Sequence, residues 1–526
     1  MTQAAIDAYE PPGIRLGIVR GVSYGLFGPP GTFVPQTRSL GAGIVRAYVY
    51  WSQVEPEPGR YRWDVVDALL GQLDGDEEVW ITLCSSSPWA TRTPTDFLPP
   101  SPAHDLNAYA EFVRRVVRRC AGRVHYWQCD NEPSNTDLLW AGTADEYVAQ
   151  LRVMYAAVKE ADPAAAVVLG GCGYDVLGSE AGSEPWRFFA QVLSGGRDAF
   201  DLFDVHLYGD TAAVPAHIEA VRELMRAHGC LRPVVVGEYG APVPFEFPDA
   251  QAVMYEVFAE AFTGDAQAQS TDQPAAQSTV QPAVQSTVQP AVQSTVQPAV
   301  QSTIELAARA RQDTPERRAM AALYARMPQL PPRLRMFMEG CPPELEARRH
   351  RINCRQLVAC TLQALAAGVR RTLYWNLAPE VPGPADPLQI MHLMFGKLAM
   401  LGYRDGELAV RHPAADTFAL LTAQLAGARR VTRVQPADPP GLYAFEVERA
   451  GRGPLLVLWD RRDTADDTAD GEDQPPVPVS WPWPASSATA VDAFGEPLAV
   501  EVRDRRLRVA VSGTPVFVSP VVSPGT

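Results

Sequence analysis

Eight short apolar runs, closed by turn-forming residues and mostly separated by helical patterns, constrain this chain more than any other feature. They lie at Ile14–Val19, Ile44–Tyr50, Val79–Leu83, Val124–Cys129, Val167–Gly171, Leu202–Leu207, Pro233–Gly237 and Thr372–Trp375. Apolar residues at three- and four-residue steps predict helices over Leu106–Arg119, Ala144–Glu160, Pro215–His228 and Glu344–Ala367. Strands that are apolar on both faces and alternate with helices belong to a parallel sheet covered on both sides. Eight such units over about 400 residues predict an α/β fold, a (β/α)8 TIM barrel. A doubly wound sheet is the rival, but no GxGxxG turn follows the first run.

The gap between the seventh and eighth runs is too long for one unit. It holds an octapeptide repeat, mostly QSTVQPAV, in which Gln-Ser-Thr recurs at 269–271, 277–279, 285–287, 293–295 and 301–303. Eight residues is too short a period for a solenoid unit. A proline in most copies breaks helices and ladders, and the polar residues bury little. Residues 266–303 are therefore expected to be a disordered, low-complexity insertion in the barrel.

Pro413–Ala426 reads as a closing helix, after which the pattern changes to period two. Tyr443–Glu448, Leu455–Trp459, Leu507–Val511 and Pro515–Val518 alternate as short antiparallel strands do. The chain thus divides into a barrel over residues 1–428 and a small β-sandwich-like domain over residues 429–526. The acidic, proline-ended stretch Asp460–Pro476 reads as a solvated hairpin loop.

With 46 basic against 61 acidic residues, the net charge of −15 leaves no basic stripe for nucleic acid. No run reaches the ~18–20 apolar residues of a membrane span. Met1–Glu10 lacks the basic and apolar segments of a secretory signal. The eight cysteines are scattered without CxxC spacing, which fits buried free thiols in a reducing compartment. A cytoplasmic protein without cofactor is expected. No His, Asp or Glu cluster has metal-ligand spacing, so no metal is expected either.

Reactive groups of a barrel project from the C-terminal ends of its strands. Glu132 follows the fourth run and Glu238 the seventh, so both would face one pocket. A carboxylate directly after an apolar strand is costly unless it has partners or a task. Two at facing strand ends suit acid/base and nucleophilic work on an acetal.

Asn131-Glu132-Pro133 and Gly237-Glu238-Tyr239-Gly240 resemble the signature of the clan A retaining β-glycosidases, closest to cellulase-like family 5 and β-xylosidase-like family 39. Arg46, the segment from Trp51 to Trp63, His206-Leu207-Tyr208 and Tyr374-Trp375-Asn376 extend the match over residues 14 to 428. The resemblance implies that Glu132 is the acid/base and Glu238 the nucleophile. Glu132 would then begin protonated, raised by burial and by the Glu238 charge. Glu238 would be ionised, with Arg46, Tyr208 and His206 as candidate donors. Asn131 would bond the sugar 2-hydroxyl, and Trp375 would carry the pyranose ring.

Other readings stay open at this level. Arg46 serves either as a substrate contact or as a brace of the barrel interior. His206 is either a site residue or a core histidine, and Trp89 is a candidate pocket wall. The implied activity is retaining hydrolysis of an equatorial, β-type O-glycosidic bond in a glycoside, oligosaccharide or polysaccharide. The alternatives are a transglycosylase, a polysaccharide-remodelling barrel in a biosynthetic complex, and a catalytically silent carbohydrate-binding barrel.

Overall fold

A computed structural model describes residues 11–21, 33–120, 122–136, 138–270, 313–379, 386–435, 441–461 and 475–521. The eight apolar runs are strands: β1 (Arg15–Val19), β2 (Ile44–Tyr50), β3 (Glu78–Cys84), β4 (Tyr126–Cys129), β5 (Ala166–Val168), β6 (Phe203–Tyr208), β7 (Val234–Gly240) and β8 (Arg371–Trp375). They pair in the order β5-β4-β3-β2-β1-β8-β7-β6, and every pairing is parallel. Parallel bridges Val168↔Leu202 and Cys172↔Val205 join the two ends. The fold is a (β/α)8 barrel.

Alternation along each strand sorts the side chains into two layers. Ile44, Tyr48 and Tyr50 of β2 share the barrel interior with Trp80, Tyr126, Val235, Leu373 and Trp375. Val45, Ala47 and Val49 pack outward against the helices. Burying each such Val, Leu or Ile is worth about 1.5–3 kcal/mol, so a run apolar on both faces is stable only where both are covered. The helices supply that cover. Leu106–Cys120 buries Tyr109, Phe112, Val113, Val116 and Val117, the expected three- and four-residue spacing. Ala144–Ala161 starts at a Thr143 cap whose hydroxyl accepts from the Glu146 amide, while Glu146 accepts in return from the Thr143 amide.

The β7–β8 connection carries more structure than its sequence pattern predicts. Helices Pro248–Ser270 and Pro315–Ala325 bring Met254, Phe258, Met320 and Leu323 into a separate apolar core, joined by Phe247, Phe337 and Ile390. From residue 271 onward the octapeptide run lies outside the described residues, as does most of the acidic 460–476 stretch.

Beyond the barrel come β9 (Leu401–Arg404), β10 (Glu407–Arg411), β11 (Ala428–Val434), β12 (Leu442–Arg449), β13 (Leu455–Asp460), β14 (Val477–Pro482), β15 (Ala488–Asp492), β16 (Pro497–Leu498), β17 (Val500–Arg503), β18 (Arg506–Val511) and β19 (Val516–Pro520). β9 and β10 form a hairpin, and the rest form a six-stranded and a three-stranded antiparallel sheet. The alternating pattern of β13 again explains the packing. Leu455, Val457 and Trp459 join the barrel's outer core, and Leu456 and Leu458 pack with Trp481, Leu507 and Val509 of the smaller sheet. Among the described residues no helix is long and apolar enough to cross a membrane. All eight cysteines carry free thiols, and only Cys341 is less than fully buried.

Candidate active site

Glu238 reaches the barrel interior through a β-bulge. β6 and β7 pair as Val205↔Val236 and then His206↔Glu238, so Gly237 is one extra residue in β7. Val235 faces inward and Val236 outward, so strict alternation would turn Glu238 out toward the helices. The inserted residue reverses the phase. Tyr239 faces out instead, 2.8 Å from the Thr361 hydroxyl on helix Pro343–Ala366. The Gly237 amide donates to Asp204 Oδ1 at 2.5 Å, and the Gly237 carbonyl accepts from Arg46 at 3.0 Å.

Both Glu238 oxygens are met by donors. Oε1 accepts from Arg46 Nη1 at 2.9 Å and from the Tyr48 hydroxyl at 2.6 Å, and Oε2 accepts from the Tyr208 hydroxyl at 2.9 Å. Burial, with the Glu238 charge adding to it, holds both phenols well above their ordinary value and keeps them as donors.

Arg46 is fully buried, and each of its five N–H groups has a protein acceptor. Nε donates to Thr82 at 3.0 Å, Nη1 to Glu238 and Gly237, and Nη2 to Gln128 at 2.6 Å and Asn131 Oδ1 at 2.8 Å. None is left for a sugar, so Arg46 braces the interior and partners the Glu238 charge. Burial alone would lower its pKa, but Tyr48, Glu238 and Asp204 more than offset that and raise it.

Glu132 stands across the pocket. Its own φ of 40° and that of Asp130, 52°, place both in the left-handed region that non-glycine residues rarely occupy. Asp130 anchors this turn by accepting from the Ser85 amide at 2.7 Å and from Gln150 at 3.1 Å. Its burial, against these donors, lifts the carboxyl to about 7.

His206 connects the two carboxylates. Nδ1 lies 2.6 Å from Glu132 Oε1 and 3.5 Å from Glu238 Oε2, and Nε2 lies 3.0 Å from Asp204 Oδ2. Burial alone would lower its pKa, but the charges of Glu238, Asp204 and Glu132 outweigh that and raise it to about 10. When the ring carries both protons it donates to Asp204 through Nε2 and to Glu132 through Nδ1. The glycines after β5 leave room for this packing. An added Cβ at Gly171 would lie 2.2 Å from His206 Nε2, and one at Gly173 would lie 2.7 Å from Glu132 Oε1.

The structure brings Glu132, Glu238, Asn131, Arg46, His206 and Tyr208 together, and Trp375 packs in the same interior cluster as Tyr48 and Tyr208. The indole nitrogen of Trp375 is buried without a hydrogen-bond partner among the described residues. Trp89 is placed differently. Its indole nitrogen donates to the Glu55 carbonyl at 2.9 Å and its ring packs edge-on against Trp51, contacts that hold it in the scaffold. Tyr48, Thr82, Gln128 and Asp204 complete the network and were missed from sequence. Their signal is period-two alternation: Tyr48 shares the Arg46 face of β2, and Asp204 shares the His206 and Tyr208 face of β6.

Ligand atoms of Glu132, His206 and Glu238 all lie within 4.8 Å of one another, a spacing that could hold a cation. The Arg46 guanidinium and two hydroxyls already donate to the Glu238 oxygens, and the guanidinium supplies the positive charge. This donor set fits a hydrogen-bonded acid–base site better than a metal centre.

No family model matches the sequence, and no curated protein matches it. Solved structures do. A family 39 glycoside hydrolase from Bacteroides cellulosilyticus superposes with a TM-score of 0.57 at 14% identity, over 98% of this chain and 82% of that one. A family 39 β-xylosidase from Caulobacter crescentus gives a TM-score of 0.54 at 12% identity, over 97% and 98% of the two chains. The catalytic domain of family 30 xylanase C from Talaromyces cellulolyticus gives 0.52 at 10% identity, over 98% of both. The (β/α)8 fold is shared with these three glycoside hydrolase structures. At these identities the likeness is one of fold, and the chemistry rests on the side chains described above.

Proposed function

We propose that the chain is a retaining glycoside hydrolase that cleaves an equatorial, β-type O-glycosidic bond by double displacement. The observation that carries this reading is the spacing of the facing carboxylates. The nearest oxygens of Glu132 and Glu238 lie within 4.8 Å of each other, a close approach of facing carboxylates that supports the retaining arrangement. Retaining enzymes hold the pair about 5–5.5 Å apart, and inverting ones about 6.5–9.5 Å, to admit a water.

The unequal surroundings of the two carboxylates support different roles. Glu238 is buried among Arg46, Tyr48 and Tyr208, partners that serve a charged nucleophile. The Glu132 side chain is 16% exposed, and its Oε1 is engaged by His206. Oε2 is then the atom that protonates the leaving oxygen. Glu238 attacks the anomeric carbon as the aglycone departs, which forms a glycosyl ester. Glu132, now ionised, takes a proton from water, and the hydroxide attacks the same carbon and releases Glu238. Asn131, positioned by Arg46, retains its amide donors for the sugar 2-hydroxyl, and Trp375 forms the apolar floor. A carbohydrate-binding barrel without catalysis would have no use for donors gathered on one carboxylate opposite a second.

The test is a panel of aryl β-glycosides followed by proton NMR from the first minutes of turnover. The β-anomer as first product supports the reading. The α-anomer first, or no turnover of any member, overturns it.

A further inference from the structure

On the Glu132 side of the pocket the chain exposes an aromatic pair that the chemistry so far does not use. Gly173, whose added Cβ would touch Glu132 Oε1, is the N-cap of the short helix Tyr174–Leu177. Tyr174 is 39% exposed, one of few large hydrophobic side chains left so open. Its ring centroid lies 4.4 Å from that of Phe245 at a 42° tilt. Phe245 packs on the interior cluster that contains Tyr208 and Trp375. The Tyr174 ring also lies 3.9 Å from where Gly209, directly after Tyr208, would carry a Cβ. The pair therefore sits at the C-terminal ends of the strands, near Glu132 and the end of β6, whose Tyr208 donates to Glu238.

An acid/base residue protonates the oxygen between the cleaved sugar and its leaving group, so the leaving group lies beside it. An aromatic face there is an apolar surface of negative potential. It suits the C–H face of a pyranose, whose hydrogens carry partial positive charge. We infer that Tyr174 and Phe245 form a binding platform for the ring of the leaving group. The substrates are then β-linked di- or oligosaccharides, or glycosides with a cyclic aglycone, in preference to small alkyl glycosides. This inference rests on the proposed retaining activity and goes beyond it in naming the leaving-group class.

The test compares two substrate sets of one sugar, chosen from glucose, xylose, mannose and galactose. The β-glycosyl fluoride has no ring in its leaving group, and the β-linked disaccharide has one. In Tyr174→Ala, kcat/KM for the disaccharide should fall about 10- to 100-fold further than for the fluoride, the range for losing one apolar pocket contact. Tyr174→Phe, which keeps the ring, should restore most of that difference. Equal losses on both substrates, or a lower Tm without any change in their ratio, overturn the platform and leave Tyr174 as a scaffold contact to Phe245. Wild-type protein that turns over neither set overturns the catalytic reading itself, a result distinguishable from failure of the platform alone.

Discussion

The backbone amide of Gly237 donates to Asp204 Oδ1 at 2.5 Å, and any Cβ added at Gly237 would lie 2.4 Å from both oxygens of that carboxylate. The other Asp204 oxygen accepts from Gln128 at 2.7 Å and faces His206 at 3.0 Å. One buried aspartate thus holds the bulge that turns Glu238 inward and the ring that contacts Glu132.

Gly237→Ala should therefore remove most activity. The new methyl group meets a fixed, buried carboxylate, and Glu238 must shift with the bulge. A misplacement of about 1 Å costs on the order of 100-fold in rate, and the overpacking costs about 1–3 kcal/mol. Steady-state kcat and Tm check both, and an active, equally stable variant would contradict the bulge argument.

The glycines after β5 should separate two effects. Gly171→Ala pushes on the His206 ring, which is packed on all sides, so Tm and kcat should both drop. Gly173→Ala pushes on the ends of two side chains, Glu132 at 2.7 Å and Asp175 at 2.8 Å, both less buried than the His206 ring. It should lower kcat/KM and leave Tm nearly unchanged. The comparison needs one thermal melt and one progress curve per variant.

Tyr48→Phe and Tyr208→Phe each remove one hydroxyl from Glu238. A hydrogen bond to a charged group contributes about 1.5–3 kcal/mol, so each variant should lose about 10- to 100-fold in kcat/KM. Wild-type rates in both would mean that Glu238 does not depend on these donors.

The raised His206 pKa makes stability depend on pH with a definite sign. The folded ring, at about 10, holds a proton that the unfolded one releases near 6.5. Its contribution is full below pH 6.5 and is lost as pH rises through 10, with a slope of at most about 1.4 kcal/mol per pH unit. Wild-type Tm should fall between pH 7 and 10, and the fall should be shallower in His206→Gln. Parallel curves for the two proteins would show that His206 is neutral in the folded state.

Much of this site was readable in the sequence because strands covered on both faces must be apolar throughout. Carboxylates directly after such runs, at Glu132 and Glu238, stand out for that reason. Tyr48 and Asp204 were readable too, by period two from Arg46 and His206, yet Tyr48 sits in a run where an aromatic residue reads as packing. The inward turn of Glu238 was not readable. Counting by twos from Val235 sends it outward, and the correction is a register shift fixed by Asp204 on another strand. Trp89 shows the opposite limit. Its position after β3 suits a pocket wall, and a hydrogen bond to Glu55 spends its indole elsewhere. The helices at Pro248–Ser270 and Pro315–Ala325 share a core drawn from segments far apart in the chain, and no local window contains that core.

The two glutamate roles are tested most directly by the configuration of azide adducts. Glu238→Gly lacks the nucleophile, so azide in the vacated space should attack from the face opposite the leaving group and give the inverted glycosyl azide. Glu132→Ala still forms the glycosyl ester from an activated aryl β-glycoside, but water lacks its general base. Azide needs none and should give the retained product. Proton NMR of each adduct reads the answer. The account predicts inversion with Glu238→Gly and retention with Glu132→Ala. Swapped configurations, or full activity of both variants without azide, would contradict it.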